Sequence, residues 1–326
     1  MSPMPSMPSR AASPLRAVAL GAALLLAAPL PASAEDAAPR WSLGALVQAD
    51  DEDGWSVAGS VGYALSPDTR LRLDADAADA VGAGAEYSTT GVGLELRHAF
   101  GAAALAVGVH RWQDPDVVAA DEWRAELEFR GERLALALLG SYRQSDFEPV
   151  VADATVRLRN GRSLPVRARA DCDLDDVGYG VRLAWSATTW GAHASARVHD
   201  YGDVDCRFDA PGLDALSRAR AAEFRQFAAR ATNALGLGAG TRIGADDALL
   251  DRSLAGGAWF QPGRLGVAAD YARTRDYFSG ERADTVSATL LWAATPSIDL
   301  DLTLGTTDAE RHGSTAFVGL GLQVRY

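Results

Sequence analysis

The sequence predicts an all-β fold: a membrane-spanning, antiparallel, up-and-down β-barrel of about 16–18 strands, with short turns at one end and longer acidic loops at the other. Three observations carry this. First, Ala316, Val318, Leu320, Leu322, Val324 and Tyr326 put an apolar residue at every second position up to the end of the chain. On a strand these six share one face, with Phe317, Gly319, Gly321, Gln323 and Arg325 on the other. Second, similar alternation recurs along most of the chain, and no stretch beyond the first 34 residues approaches 18 consecutive apolar residues, so helical spans are not expected. Third, 48% of the residues are hydrophobic, and short alternating pieces can place that many in lipid only if the sheet closes on itself.

The leader comes first. Arg10 and Arg16 precede an apolar run over Ala17–Leu30, and Ala32-Ser33-Ala34 is a small-x-small cleavage site. This reads as a secretory signal peptide cleaved near Ala34, leaving 35–326 as the barrel. Loss of the two arginines takes the formal charge from −12 to −14. Such an acidic product, whose bases are all Arg, has no nucleic-acid footprint.

The strands follow in order. Outward apolar sets are Trp41/Leu43/Ala45/Val47, Trp55/Val57/Val61/Tyr63, Leu71/Leu73/Ala75/Ala77, Val92/Leu94/Leu96 and Leu105/Val107/Val109. Next come Trp123/Ala125/Leu127/Phe129, Leu134/Leu136/Leu138/Tyr142, Ala154/Val156/Leu158 and Leu164/Val166/Ala168. The pattern continues with Val177/Tyr179/Val181/Leu183/Trp185 and Trp190/Ala192/Ala194/Val198. It then resumes with Leu254/Ala258/Phe260, Leu265/Val267/Ala269/Tyr271, Val286/Ala288/Leu290/Trp292, Ile298/Leu300/Leu302/Leu304 and the terminal strand. Region 212–243 is ambiguous. Two strands there give 18; a helical excursion gives 16.

Connections alternate between tight turns, such as Ser66-Pro67-Asp68, Gly131-Glu132, Ala187-Thr188 and Pro262-Gly263, and acidic stretches at 50–53, 114–122, 171–176 and 200–214. Aromatic residues cluster at strand ends, as interfacial girdles do.

The terminal strand resembles the C-terminal assembly signature of bacterial outer-membrane β-barrels, with Tyr326 where Phe is commonest. That resemblance implies a Gram-negative cell outer membrane as the location and places both termini on the periplasmic side. Its implied partners are outer-membrane lipids, lipopolysaccharide and, through Tyr326, the barrel-assembly machinery. Only 35–40 precede the first strand, which argues against a plug domain or a passenger.

On the inner face the expected pore-lining residues are Arg72, Asp74, Arg124, Glu126, Glu128, Arg157, Arg167, Arg169, Arg182, His193, Asp299 and Asp301. Uncompensated burial of such charges costs several kcal/mol each, so they should face water or one another. Opposing Trp185 to Trp190 sets Arg182 against His193, Gly180 against Ser195 and Asp176 against His199. A three-residue loop at Asn160 sets Thr155 against Arg167 and Asp153 against Arg169. The four arginines at 157, 159, 167 and 169 then form a basic strip facing acids elsewhere on the wall. A local ladder of structural ion pairs is the competing reading.

A porin-like channel for small hydrophilic solutes is the function this pattern favours. The alternatives are a barrel for polysaccharide or lipoprotein export, and a non-conducting surface barrel with a structural or ligand-binding role. Cys172 and Cys206, the only cysteines, are expected to form a disulfide. The acidic run at 171–176 lacks the glycine and distal glutamate of a calcium loop, so no metal site and no cofactor are expected. His193, Ser195 and His199 share the inner face, but no acid is expected beside His193, so no enzyme is expected.

Overall fold

The computed structural model describes residues 40–82, 85–114, 118–157, 163–203, 205–209, 249–277, 280–310 and 313–326. The leader and region 212–243 lie outside them. The first strands are β1 (Trp41–Asp50), β2 (Trp55–Ala64), β3 (Thr69–Gly82), β4 (Ala85–Phe100) and β5 (Ala103–Asp114). They are followed by β6 (Val118–Arg130), β7 (Leu134–Arg157), β8 (Ser163–Ser186), β9 (Trp190–Tyr201) and the short β10 (Asp205–Asp209). The series ends with β11 (Leu250–Phe260), β12 (Leu265–Asp276), β13 (Arg282–Thr295), β14 (Ile298–Ala309) and β15 (Gly313–Arg325).

Each strand from β1 to β9 pairs antiparallel with the next, as does each from β11 to β15. β9 pairs with β11 and β15 with β1, which closes a ring of 14 strands. The seam is stapled where Tyr326 N–H donates to the Trp41 carbonyl at 2.9 Å and Trp41 N–H donates back at 3.1 Å. Closure gives each of the 14 ring strands a partner on both sides within the ring, the condition for a sheet in lipid. β10 stands outside the ring and, among the described residues, pairs with β8.

The ring holds 14 strands, fewer than the 16–18 expected. Leu134–Tyr142 and Ala154–Val156 belong to one strand, β7, and Leu164–Ala168 and Val177–Trp185 to another, β8. Acidic residues interrupt the alternation between them, so the sequence shows two strands where the backbone runs through. A bulge between Phe147 and Val150 shifts the register of the β7–β8 pair. Beyond it β7 has lost β6, whose last partner is Val118 opposite Phe147. The two strands therefore run past the rim as a ribbon. The expected acidic loop at 171–176 is part of β8, and most of 114–122 belongs to β5 and β6. The connection after β1 is a tight turn, with Gly54 N–H donating to Asp50 Oδ1 at 2.7 Å and Asp53 at positive φ.

The outside of the ring is apolar and the inside polar, the inverse of a soluble domain. Leu73, Val92, Leu138, Val181, Leu290 and Leu320 are among many large apolar residues left exposed. Glu122, Arg143, Ser145 and Asp176 are almost completely buried. Aromatic pairs mark the edges of this apolar band. Trp41 lies 4.4 Å from Tyr63 and Trp185 4.0 Å from Trp190 at the rim carrying the termini, and Trp123 stacks on Tyr142 at 5.6 Å towards the far rim.

Candidate functional site: the charged lumen

Inner-face residues from both halves of the ring line one cavity of about 750 Å³, among them Ser60, Arg72, Asp74, Glu126, Arg182 and Asp301. Its walls differ in how their charges are held. In the β4–β9 sector, arginines reach across intervening strands to carboxylates on β6. Arg97 bonds Glu126 at 3.4 Å and also Glu128, passing over Ala104 and Ala106 of β5, which are small enough to lie beneath it. Arg182 donates to Glu126 at 2.7 Å, and Arg130 bonds Glu128. Glu122 accepts from Arg124 at 2.7 Å and Arg197 at 2.9 Å. Deeper still, Arg143 Nε donates to Asp176 at 2.5 Å, and its Nη2 donates to the Tyr201 hydroxyl at 2.9 Å. His199 Nδ1 lies 2.8 Å from the other Asp176 oxygen. Tyr201 in turn donates to the Leu250 carbonyl at 2.7 Å and stacks on Tyr277.

Across the lumen the carboxylates are held differently. Asp74 lies against Gly93, Asp76 against Gly91, Asp270 against Gly257 and Asp301 against Gly321, each on the neighbouring strand in register. A Cβ at any of these glycines would collide with the carboxylate. The acid thus folds flat onto the wall and leaves the lumen clear. Among the described residues, Asp74, Glu95 and Asp301 make no ion pair, and Asp299 pairs with Arg325.

The lumen is unequal along its length. Towards the terminus-side rim three charged groups stay accessible, Arg182, His193 and Asp270 keeping 44%, 41% and 38% of their side-chain surface, while Glu128 is buried among its arginines. Towards the far rim, inward residues are buried around much of the ring, including Ser56, Trp112, Val118, Ser145, Leu174 and Phe317. Trp112, Val118 and Ala120 pack as one apolar cluster with Phe147 against it.

An apolar outside, a polar inside and a closed seam meet every requirement for a strand-built membrane span. The chain is a closed, antiparallel, up-and-down β-barrel with a lipid-type outer face. The sequence matches no protein-family model and no curated protein. Among solved structures, the barrel is similar to OmpT of Vibrio cholerae, with 7% identity, 88% of this chain and 96% of that one covered, and a TM-score of 0.42. It is also similar to OprB of Pseudomonas putida (9%, 88% and 93%, 0.40) and to OpdK of Pseudomonas aeruginosa solved with vanillate (12%, 90% and 99%, 0.38). Likenesses at these values assign no residue and no solute to this barrel.

Most expected pore residues stand on the wall: Arg72, Asp74, Arg124, Glu126, Glu128, Arg182, His193, Asp299 and Asp301 have inner-face register positions. Arg157, Arg167 and Arg169 do not belong to it. They lie on the β7–β8 ribbon, beyond the last pairing of β7 with β6. The pairings proposed for them shift by two residues: Asp153 faces Arg167 and Val151 faces Arg169. The same shift occurs at the next hairpin. Ala187 N–H donates to the Trp190 carbonyl, leaving only Thr188-Thr189 in the loop, so Arg182 faces Ser195, Gly180 faces Arg197 and Gly178 faces His199.

Opposed walls of single sign are also absent from the β4–β9 sector, where Arg and Glu interleave. Arg97, Arg143 and Arg197 were missed from the sequence. Extending the Leu134/Leu136/Leu138 alternation past Tyr142 would have placed Arg143 inward. His193 does have an acid nearby, Asp270 at 3.4 Å, which the sequence did not reveal. Cys172 is disulfide-bonded, and β10 sets Cys206 directly opposite it.

Proposed function

We propose that this barrel is a channel for small hydrophilic solutes in the bacterial outer membrane. The observation that carries the reading is the water-accessible cavity of about 750 Å³ walled by charged residues inside a closed ring. Fixed wall charges of both signs suit polar or charged solutes, whose local concentration they set. Export through a leader cleaved near Ala34 and assembly through the strand ending at Tyr326 fit this location. Lipopolysaccharide is the proposed outer-leaflet partner, and Cys172–Cys206 the proposed disulfide.

Single-channel recording of purified protein in planar bilayers tests the reading. Discrete, ohmic conductance steps are expected. A correctly folded barrel that produces none would favour the second reading, a non-conducting surface barrel, for which the buried Arg143–Asp176 network near the far rim speaks.

A further inference from the structure

We infer that the lumen is one-ended in this state: a vestibule entered from the terminus-side rim and sealed towards the far rim by a latch centred on Arg143. The inference concerns the same lumen as the channel reading and adds a closure to it.

Three observations converge on the latch. The first is the burial gradient. Near the terminus side Arg182, His193 and Asp270 keep 44%, 41% and 38% of their side-chain surface, although Ala104, Glu128 and Ala137 there are buried, whereas Ser145 and Ser56 near the far rim are 0% exposed. The second is the bonding of Arg143, which is 1% exposed and ties β7 to Asp176 of β8 and to Tyr201 of β9. Tyr201 passes the link to β11 through the Leu250 carbonyl, and Arg197 of β9 reaches back to Glu122 of β6. Arg143 thus bonds β7 to β8 and β9, Tyr201 extends the link to β11, and the Arg197–Glu122 bond ties β9 to β6. The third is the apolar cluster beside it, Trp112 of β5 with Val118 and Ala120 of β6, against which Phe147 of β7 packs.

Ion pairs buried this completely are held by one another. Removing one partner leaves the other charge without compensation, and the cluster must hydrate or rearrange. A solute crossing the barrel has to displace this latch.

Cysteine accessibility tests the inference without relying on conduction. Ser195→Cys lies in the vestibule and Ser145→Cys behind the latch. With a membrane-impermeant thiol reagent, Cys at 195 should label quickly and Cys at 145 roughly a hundredfold more slowly, as protection by local opening requires. Adding Arg143→Ala should raise labelling at 145 about tenfold or more while leaving 195 unchanged. Heat-modifiable gel migration checks folding, and Trp112→Ala opens the same seal if Arg143→Ala does not fold. Equal labelling at 145 and 195 in the parent barrel overturns the seal. Unchanged protection at 145 in a folded latch variant overturns the role of the cluster. If the labelling comes out as expected but no variant conducts, the channel reading fails and the latch stands.

Discussion

Leu138→Arg and Leu139→Arg, adjacent on β7, place the same charge on opposite faces of the wall. Leu138 is 49% exposed, its cross-strand partners are Leu127 and Val181, and it sits four residues from both Leu134 and Tyr142. At about 3.4 Å per residue and a tilt near 40°, that sets it about 10 Å from either edge of the apolar band. Arginine so close to the midplane should cost about 2–4 kcal/mol. In water, the same change at a half-exposed surface position would fall within about 0.5 kcal/mol. Leu139 faces the lumen and stands opposite Glu126. Arginine there has an acid and water within reach, so its cost should stay under about 1 kcal/mol. Denaturant unfolding from phospholipid vesicles, followed by tryptophan fluorescence, measures both. Equal effects at 138 and 139, or a Leu138→Arg barrel as stable as its parent, would refute the face assignment and the membrane placement together.

Native protein should run at a different apparent mass on a detergent gel before and after boiling, with a β-dominated circular dichroism spectrum; a helical spectrum or a detergent-free soluble monomer would count against the barrel. Non-reducing mass spectrometry should find the Cys172 and Cys206 peptides joined, and reduction should cost about 3–4 kcal/mol for a loop of this size; two alkylatable thiols in unreduced protein would reject the bond. If the barrel conducts, Arg182→Glu should move the reversal potential towards cation preference, because that side chain faces the cavity. The double change Arg167→Glu with Arg169→Glu should leave it in place, since both residues stand on the ribbon outside the wall.

The strand faces were legible in the sequence because period-2 alternation is a local property. Leu94, Val107, Leu183 and Leu290 stand on the expected outer face, and the seam between β1 and β15 closes as the terminal stripe requires. Register was less legible. Opposing Trp185 to Trp190 keeps every residue on its correct face yet misses the pairing by two, because the two rings meet on a diagonal. Continuity of β7 and β8 was hidden where acids replace apolar residues beyond the lipid band, since a strand outside lipid needs no alternation. The Arg97, Arg182 and Arg197 bonds to β6 were invisible for another reason. They span strands that are not neighbours, and such reach depends on the inward curvature of the closed ring and on small residues below, such as Ala104 and Gly180.

The cross-strand pairs of aspartate over glycine give this barrel an adjustable bore. Each carboxylate lies flat only while the position beside it lacks a Cβ, as at Gly321 beside Asp301 and Gly93 beside Asp74. A single methyl group at such a glycine would tip the acid off the wall and into the solute's path, with no change of charge, strand number or lipid contact. Two barrels of identical circumference and identical net charge could then differ in the size of solute they admit. A sieve of this kind can be retuned one alanine at a time, on residues that carry no functional group of their own.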